Sequence, residues 1–207
     1  MHKFSLVFLF ALFTDTYANI IRWRDIRDLY NLLNTTHRIW IIAASKGQMY
    51  SNSEAECVNY RTRNLTSTNV TLLYQVLTNS RNARNWRHNV TVNAQLVNDT
   101  QPTMKMNDWN DKNVTKRLLE WNPRHGCGIF NVSLLSGTKE KPWCEIHVQG
   151  PYLKAAYTRN QYSHHDGCER KFYDLCGPDA IQTTLFNRKC RNAAFLHKSL
   201  QNSKRSR

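Results

Sequence analysis

Apolar and polar residues alternate along much of this chain with the two-residue period of a β-strand. The clearest run is 87–97 (RHNVTVNAQLV), where apolar residues take every second position. Because successive side chains of a strand point to opposite faces, such a run predicts a strand with one buried face. Seven further runs have strand-like composition, although 114–121 could also form a helical turn. They are 38–44, 56–63, 69–78, 103–109, 114–121, 127–135 and 143–148.

Two helices are predicted, one near each end of the strand-rich region. Asp25 can cap the first, which places apolar residues on one face. These residues are Ile26, Leu29, Tyr30, Leu32 and Leu33. The second, over 166–177 (DGCERKFYDLCG), is predicted to stop at Gly177 and Pro178.

Eight short strands with few helices indicate an all-β fold. No alternation of strands with helices appears, so a parallel α/β sheet is not expected. A closed antiparallel barrel leaves no free strand edges, and eight strands enclose room for one small ligand. We therefore predict an eight-stranded antiparallel barrel, with a two-sheet sandwich as the alternative.

The first 18 residues are typical of a secretory signal peptide. Lys3 precedes an apolar run at 4–13, and Thr16-Tyr17-Ala18 is an acceptable cleavage site. The apolar run is too short to span a bilayer. We expect a secreted, extracellular chain with the signal peptide at 1–18, one domain at 19–190, a basic tail at 191–207 and no membrane span.

Six cysteines in a secreted chain favour disulfides over metal binding or redox chemistry. Six cysteines allow many connectivities, so their number does not choose among them. Seven Asn-x-Ser/Thr sequons predict a glycoprotein with a sugar-covered surface. The acceptor residues are Asn34, Asn64, Asn69, Asn89, Asn98, Asn113 and Asn131.

The chain is strongly basic, with a formal net charge of +14. Such a charge favours anionic partners, among them cell-surface glycans, acidic proteins, phospholipids and acidic ligands. Simple solubility explains the charge equally well. The signatures of nucleic-acid-binding domains are absent from the sequence, so we expect no nucleic-acid partner.

The sequence also lacks the motifs of common enzymes. A nucleophile elbow, a zinc-protease helix, a P-loop and a dinucleotide-binding glycine pattern are all missing. Adjacent side chains in extended backbone point apart, so His164, His165 and Asp166 are not expected to form a metal cluster. We expect a monomeric binding protein, not an enzyme, with no cofactor and no metal.

Several segments resemble the tick salivary lipocalins, the secreted family that includes the histamine-binding proteins. The resemblance rests on a helix before the first strand, on RIWIIAA at 38–44, on CGIFNVSLL at 127–135 and on WCEIHV at 143–148. Its strongest part is Cys168-x7-Cys176-Gly177, with Cys190 further on. The middle of the chain matches the family only in strand count.

The resemblance implies a lipocalin barrel with the C-terminal helix packed outside and three disulfides. The implied pairs are Cys57–Cys190, Cys127–Cys168 and Cys144–Cys176. It also implies a salivary protein that evades host defence by sequestering a small host inflammatory mediator during blood feeding. The mediator would be a biogenic amine, such as histamine or serotonin, or an eicosanoid.

The resemblance places a ligand site on the eighth strand. Histamine binders of this family carry an Asp directly after the seventh-strand cysteine and Glu-Leu-Trp in the eighth strand. Here those positions hold Gly128 and Glu145-Ile146-His147. Residues two apart share a strand face, so Glu145 and His147 are expected inside the barrel, with Cys144 and Ile146 outside. The alternative is that Glu145 pairs with a barrel arginine and His147 only packs.

The missing aspartate and the basic charge shift our expectation from an amine toward an acidic lipid or an unknown ligand. A lipid carboxylate could pair with a barrel arginine such as Arg61 or Arg63. Aromatic residues in the predicted strands would line the ligand pocket, although each also suits an ordinary core. They are Trp40, Tyr60, Tyr74, Trp121 and Phe130.

A second hypothesis is a decoy with a filled barrel. Its basic, glycosylated exterior would bind a host protein or an anionic glycan and so interfere with complement or haemostasis.

Overall fold

The computed structural model describes residues 25–80, 83–135, 140–157, 166–178, 180, 183–187 and 190, with backbone alone at 79–80, 83–86, 154–157 and 166. The predicted signal peptide and basic tail lie outside these residues, and so do the side chains of His164, His165 and Asp166.

Ten strands occur in the described residues, and eight of them form a closed antiparallel barrel. The strands are β1 (Ile39–Ala44), β2 (Met49–Tyr50), β3 (Ser53–Arg63), β4 (Asn69–Ser80), β5 (Ala83–Asn98), β6 (Pro102–Asn107), β7 (Asn113–Asn122), β8 (Cys127–Leu134), β9 (Trp143–Gln149) and β10 (Thr183–Thr184). From β3 to β9 each strand pairs with the next. β1 pairs with β9 and also with β3, where Ile39 lies opposite Tyr60, and this pairing closes the ring. The predicted barrel is confirmed.

All eight predicted strands are present, and 114–121 is a strand rather than a helical turn. The two-residue strands β2 and β10 were not predicted. Both predicted helices are also present, as α1 (Ile26–Leu33) and α3 (Asp166–Cys176). The Asp25 side chain caps α1 by accepting a hydrogen bond from the Arg27 amide. A helix that the pattern did not predict, α2 (Gly150–Tyr157), follows β9 directly. Within the described ranges, none of the helices has the length and apolarity needed to cross a bilayer.

Helix α1 closes one end of the barrel. Its residues Leu29, Leu32 and Leu33 are fully buried in the barrel core. Gly128 on β8 permits this packing, because a Cβ at that position would lie only 2.3 Å from a δ-carbon of Leu32. The Gln149 side-chain amide fixes the helix end by donating to the Leu32 carbonyl at 2.9 Å. The opposite end, which we call the open end, carries β2 and the β6–β7 loop.

Helix α3 packs on the outer face of the barrel, against β7, β8 and β9. A second apolar cluster fills this contact, and it includes Cys144 and Ile146, which face outward as expected. The structure contains the three disulfides that the resemblance implies: Cys57–Cys190, Cys127–Cys168 and Cys144–Cys176. Two of these bonds hold α3 to the barrel, and the third ties the C-terminal segment to β3.

The predicted glycosylation sites lie on or near the surface. Six of the seven acceptor asparagines are exposed, and Asn131 is half-buried. Sugar attachment at these residues remains a prediction.

The Cys57–Cys190 bond joins residues 133 positions apart, against 32 for Cys144–Cys176. In the chain-entropy model the longer loop contributes about 5 kcal/mol and the shorter about 4 kcal/mol. We expect Cys57→Ala/Cys190→Ala to lower the free energy of unfolding more than Cys144→Ala/Cys176→Ala does, measured by chemical denaturation without reductant. An equal or smaller loss would show that loop length does not govern the contribution.

Candidate ligand site in the barrel

A cluster of ionisable side chains lies buried inside the barrel. Lys116 comes from β7, Glu145 and His147 from β9, and Tyr60 from β3, while Asp108 directly follows β6. All five are at most 3% exposed. Each strand residue occupies an inward-facing position of its strand, so the alternation that builds the core also brings these polar groups together.

Lys116 is the centre of the cluster. Its ammonium nitrogen lies 2.8 Å from Asp108 Oδ2 and 2.9 Å from Glu145 Oε2. Burial alone would lower the pKa of Lys116, but the two carboxylates raise it above its ordinary value. The side chain is therefore a buried ammonium ion held between two acids.

Glu145 accepts hydrogen bonds from three directions. Besides Lys116, Trp143 donates its indole N–H to Oε1 at 2.9 Å, and His147 Nε2 lies 2.9 Å from Oε2. Burial would raise the pKa of Glu145, but Lys116 and His147 together bring it below its ordinary value. Glu145 is therefore ionised, and both of its oxygens are already engaged.

His147 is neutral and fixed in one tautomer. Burial lowers its pKa against the opposing effect of Glu145. Since Glu145 can only accept, Nε2–H donates to it, and Nδ1 then accepts the Tyr60 O–H at 2.9 Å. The Phe130 ring packs against the imidazole, with centroids 4.5 Å apart. His147 thus links the charged centre to the aromatic part of the core.

Asp108 forms the edge of the cluster nearest the open end. Burial raises its pKa, and the neighbouring Glu145 acts in the same direction, while Lys116 opposes both. The adjacent amide of Trp109 donates to Oδ1 at 2.9 Å. Asp108 is therefore the carboxyl of the cluster that protonates more readily.

A groove of about 660 Å³ lies at the open end of the barrel. Tyr50 and Trp109 stack in its wall with ring centroids 6.2 Å apart, and Val90, Val92 and Asp108 also line it. Most of its other lining residues are polar: Ser51, Thr91, Asn93, Asn107, Asn110 and Asp111. The groove thus offers an aromatic and aliphatic patch within a mainly polar lining, and Asp108 joins it to the charged cluster.

Buried polar atoms near the groove lack hydrogen-bond partners within the described part of the chain. They are Trp109 Nε1 and Asn110 Oδ1, which belong to residues that line the groove. Buried polar atoms are nearly always paired, so unpaired ones at a groove require an explanation. A bound ligand with a hydroxyl group would supply an acceptor for the indole N–H and a donor for Asn110 Oδ1.

Most predicted site residues lie in the barrel core. The members of this set are Glu145, His147, Tyr60, Tyr74, Trp121 and Phe130. Their contact with a ligand remains a prediction. The partner of Glu145 is Lys116 rather than the arginine considered from the sequence. Among the described side chains, no group of three or more His, Cys, Asp or Glu residues is placed to hold a metal.

Two expectations about the site are wrong. Trp40 points out of the barrel and packs edge-to-face on Phe186 at 4.9 Å, because its neighbours Ile39 and Ile41 take the inward positions. Arg61 and Arg63 are exposed, so neither offers a cation inside the barrel.

Sequence reasoning missed Lys116, Asp108, Trp109 and Trp143. A signal existed for Lys116, which shares the inward period of Val114 and Leu118 in β7. A signal existed for Asp108 too, because it continues the inward period of Met104 and Met106 in the predicted strand 103–109, although β6 itself ends at Asn107.

The family model described as tick histamine binding protein matches residues 22–192. Among solved structures, Japanin from Rhipicephalus appendiculatus, bound to cholesterol, is similar with a TM-score of 0.52 and 14% identity, over 76% of this chain and 97% of Japanin. The siderocalin Ex-FABP gives a TM-score of 0.47 at 8% identity, over 75% of this chain and 93% of its own. No curated protein sequence matches the chain. At such identities the likeness to Japanin bears on the fold alone.

Folding lowers the pKa of His147, so between the two pKa values the imidazole is protonated in the unfolded chain and neutral in the folded chain. The contribution of His147 to the free energy of unfolding is fully present above the unfolded pKa of about 6.5. It decreases as pH falls toward the pKa of the folded state. We expect the free energy of unfolding to fall by up to about 1.4 kcal/mol per pH unit below that point. His147→Gln, which keeps one donor and one acceptor, should lose this component. Identical pH profiles in urea titrations of the two proteins would contradict the assignment.

Proposed function

This chain belongs to the tick histamine-binding protein family, and from that premise we propose that it is a secreted salivary lipocalin that sequesters a small host inflammatory mediator. The family and fold are of the ligand-binding lipocalin type and not of an enzyme. We further propose that the ligand is an amphiphilic lipid with a polar oxygen, such as an eicosanoid or a sterol, rather than a cationic amine.

The groove at the open end carries this proposal. The opposite end is closed by Leu29, Leu32 and Leu33 of α1, so a ligand enters from the side of Tyr50 and Trp109. The apolar body of a lipid would lie against the stacked rings and the adjacent valines. An oxygen of the lipid inside the groove would accept a hydrogen bond from the Trp109 indole N–H, which has no partner among the described residues.

The buried charged cluster disfavours an amine inside the barrel. A cationic amine in a dry barrel needs a carboxylate to pair with, because an unpaired buried ammonium is costly. Glu145 and Asp108 already share Lys116, and the position of the missing aspartate is Gly128. Cholesterol is the molecule bound in the Japanin structure, so a sterol belongs among the probes.

The direct test is native mass spectrometry of the secreted, deglycosylated protein incubated with cholesterol, arachidonate, a leukotriene, histamine and serotonin in competition. We expect retention of a lipid and no retention of either amine. Retention of an amine with release of the lipids would overturn the proposed ligand class.

Trp109→Phe keeps the stacked ring but removes the indole N–H. We expect affinity for the retained lipid to fall about two- to tenfold, the effect of one hydrogen bond, measured by fluorescence titration. Trp40→Phe is the matched control, because Trp40 lies outside the barrel. Equal affinities for both variants would place the ligand away from Trp109.

A second candidate function is the host-protein or anionic-surface decoy. Its support is the middle of the barrel, where large side chains such as Lys116, Tyr60 and Phe130 are fully buried and fill the core. The basic charge of +14 also suits an acidic partner. If no probe is retained while all six cysteines are oxidised, and heparin binding falls steeply with salt, the decoy becomes the better account.

A further inference from the structure

The buried ammonium of Lys116 stands where the charged group of an amine ligand would be bound. We propose that Lys116 is a built-in occupant of an ammonium-binding position between Asp108 and Glu145, and that it makes the barrel reject small primary amines. This inference deepens the proposed function by naming the residue that sets its ligand class.

The geometry is that of a bound ammonium ion. The nitrogen lies within 2.9 Å of an oxygen from each of two carboxylates, which come from separate segments, β9 and the residue after β6. Both acids and the lysine are almost completely shielded from solvent. Charge-assisted hydrogen bonds of this length are the contacts by which a protein would hold a cationic ligand.

The carboxylate oxygens of the cluster are already engaged, those of Asp108 by the Trp109 amide and Lys116. Both oxygens of Glu145 already accept hydrogen bonds, from Trp143, His147 and Lys116. The space in front of Gly128, where histamine binders of the family carry an aspartate, is filled by Leu32. An incoming amine would therefore have to displace the Lys116 ammonium from Asp108 and Glu145. The displaced ammonium would then be buried without a partner, which is unfavourable.

Shortening Lys116 should open the ammonium-binding position to a free ammonium ligand. Lys116→Ala retains Cβ and removes three methylene groups together with the ammonium. The removed atoms correspond to n-propylammonium, which has three carbons and one ammonium group. Two buried carboxylates left without a cation are strongly unfavourable, so the variant should take up the free ion.

The experiment measures binding and thermal unfolding of the full secreted chain in n-propylammonium chloride. We expect Lys116→Ala to bind n-propylammonium at least about tenfold more tightly than the wild type does, and its Tm to rise with the ion concentration. Lys116→Met, which fills the space without charge, should show neither effect. n-Propanol, which lacks the charge, should not raise the Tm of Lys116→Ala, and Lys116→Ala/Glu145→Gln should lose the tight binding.

Equal responses of Lys116→Ala and Lys116→Met, or an equal effect of propanol, would overturn the proposal. If Lys116→Ala folds only when n-propylammonium is present, that rescue supports it. If the variant folds under neither condition, the wild type provides the test. Nitrogen-15 spectra of its lysine ammonium groups are recorded during a titration with histamine. An unchanged Lys116 signal supports the proposal, and displacement of Lys116 by histamine contradicts it.

The outcomes separate this inference from the proposed function. Lipid retention by the wild type tests only the proposed function, since propylammonium rescue does not depend on it. Rescue without lipid retention would leave the ammonium position established and the mediator class open.

Discussion

A buried ion triad fixes the relative positions of three separate segments of this barrel. The Lys116 ammonium is removed from water and is stable only because Asp108 and Glu145 both reach it. Breaking such an arrangement by removing one partner typically costs about 3–5 kcal/mol, because a charge is left buried and unpaired. The triad therefore forms only if β7, β9 and the loop after β6 keep their positions relative to one another.

The rest of the fold directs ligands away from that centre. Helix α1 closes one end of the barrel through the contact between Leu32 and Gly128. The disulfides Cys127–Cys168 and Cys144–Cys176 hold α3 to the outer faces of β8 and β9, and β9 also carries Glu145. The groove beside Trp109 lies at the end of the barrel that α1 leaves open.

Strand β5 was predictable because one face is buried and the other exposed, which gives the two-residue period directly. The other strands were predictable from their composition, rich in β-branched and aromatic residues, and from the turns between them. The orientation of β1 was not predictable, since all six of its residues are buried and no polar position shows which side faces inward. That is why Trp40 was assigned to the wrong face. Glu145 and His147 share a face by spacing alone, whereas their contact with Lys116 depends on the register of β7, β8 and β9. Asp108 joins them through the pairing of β6 with β7, which places the residue after β6 beside Lys116.

The account is tested most directly by a high-resolution crystal structure of the protein purified from its secreting host. It predicts elongated apolar density in the groove against Trp109, with the Lys116 nitrogen still between Asp108 and Glu145. Density for a small cation between these two carboxylates, with the Lys116 side chain turned away, would contradict it.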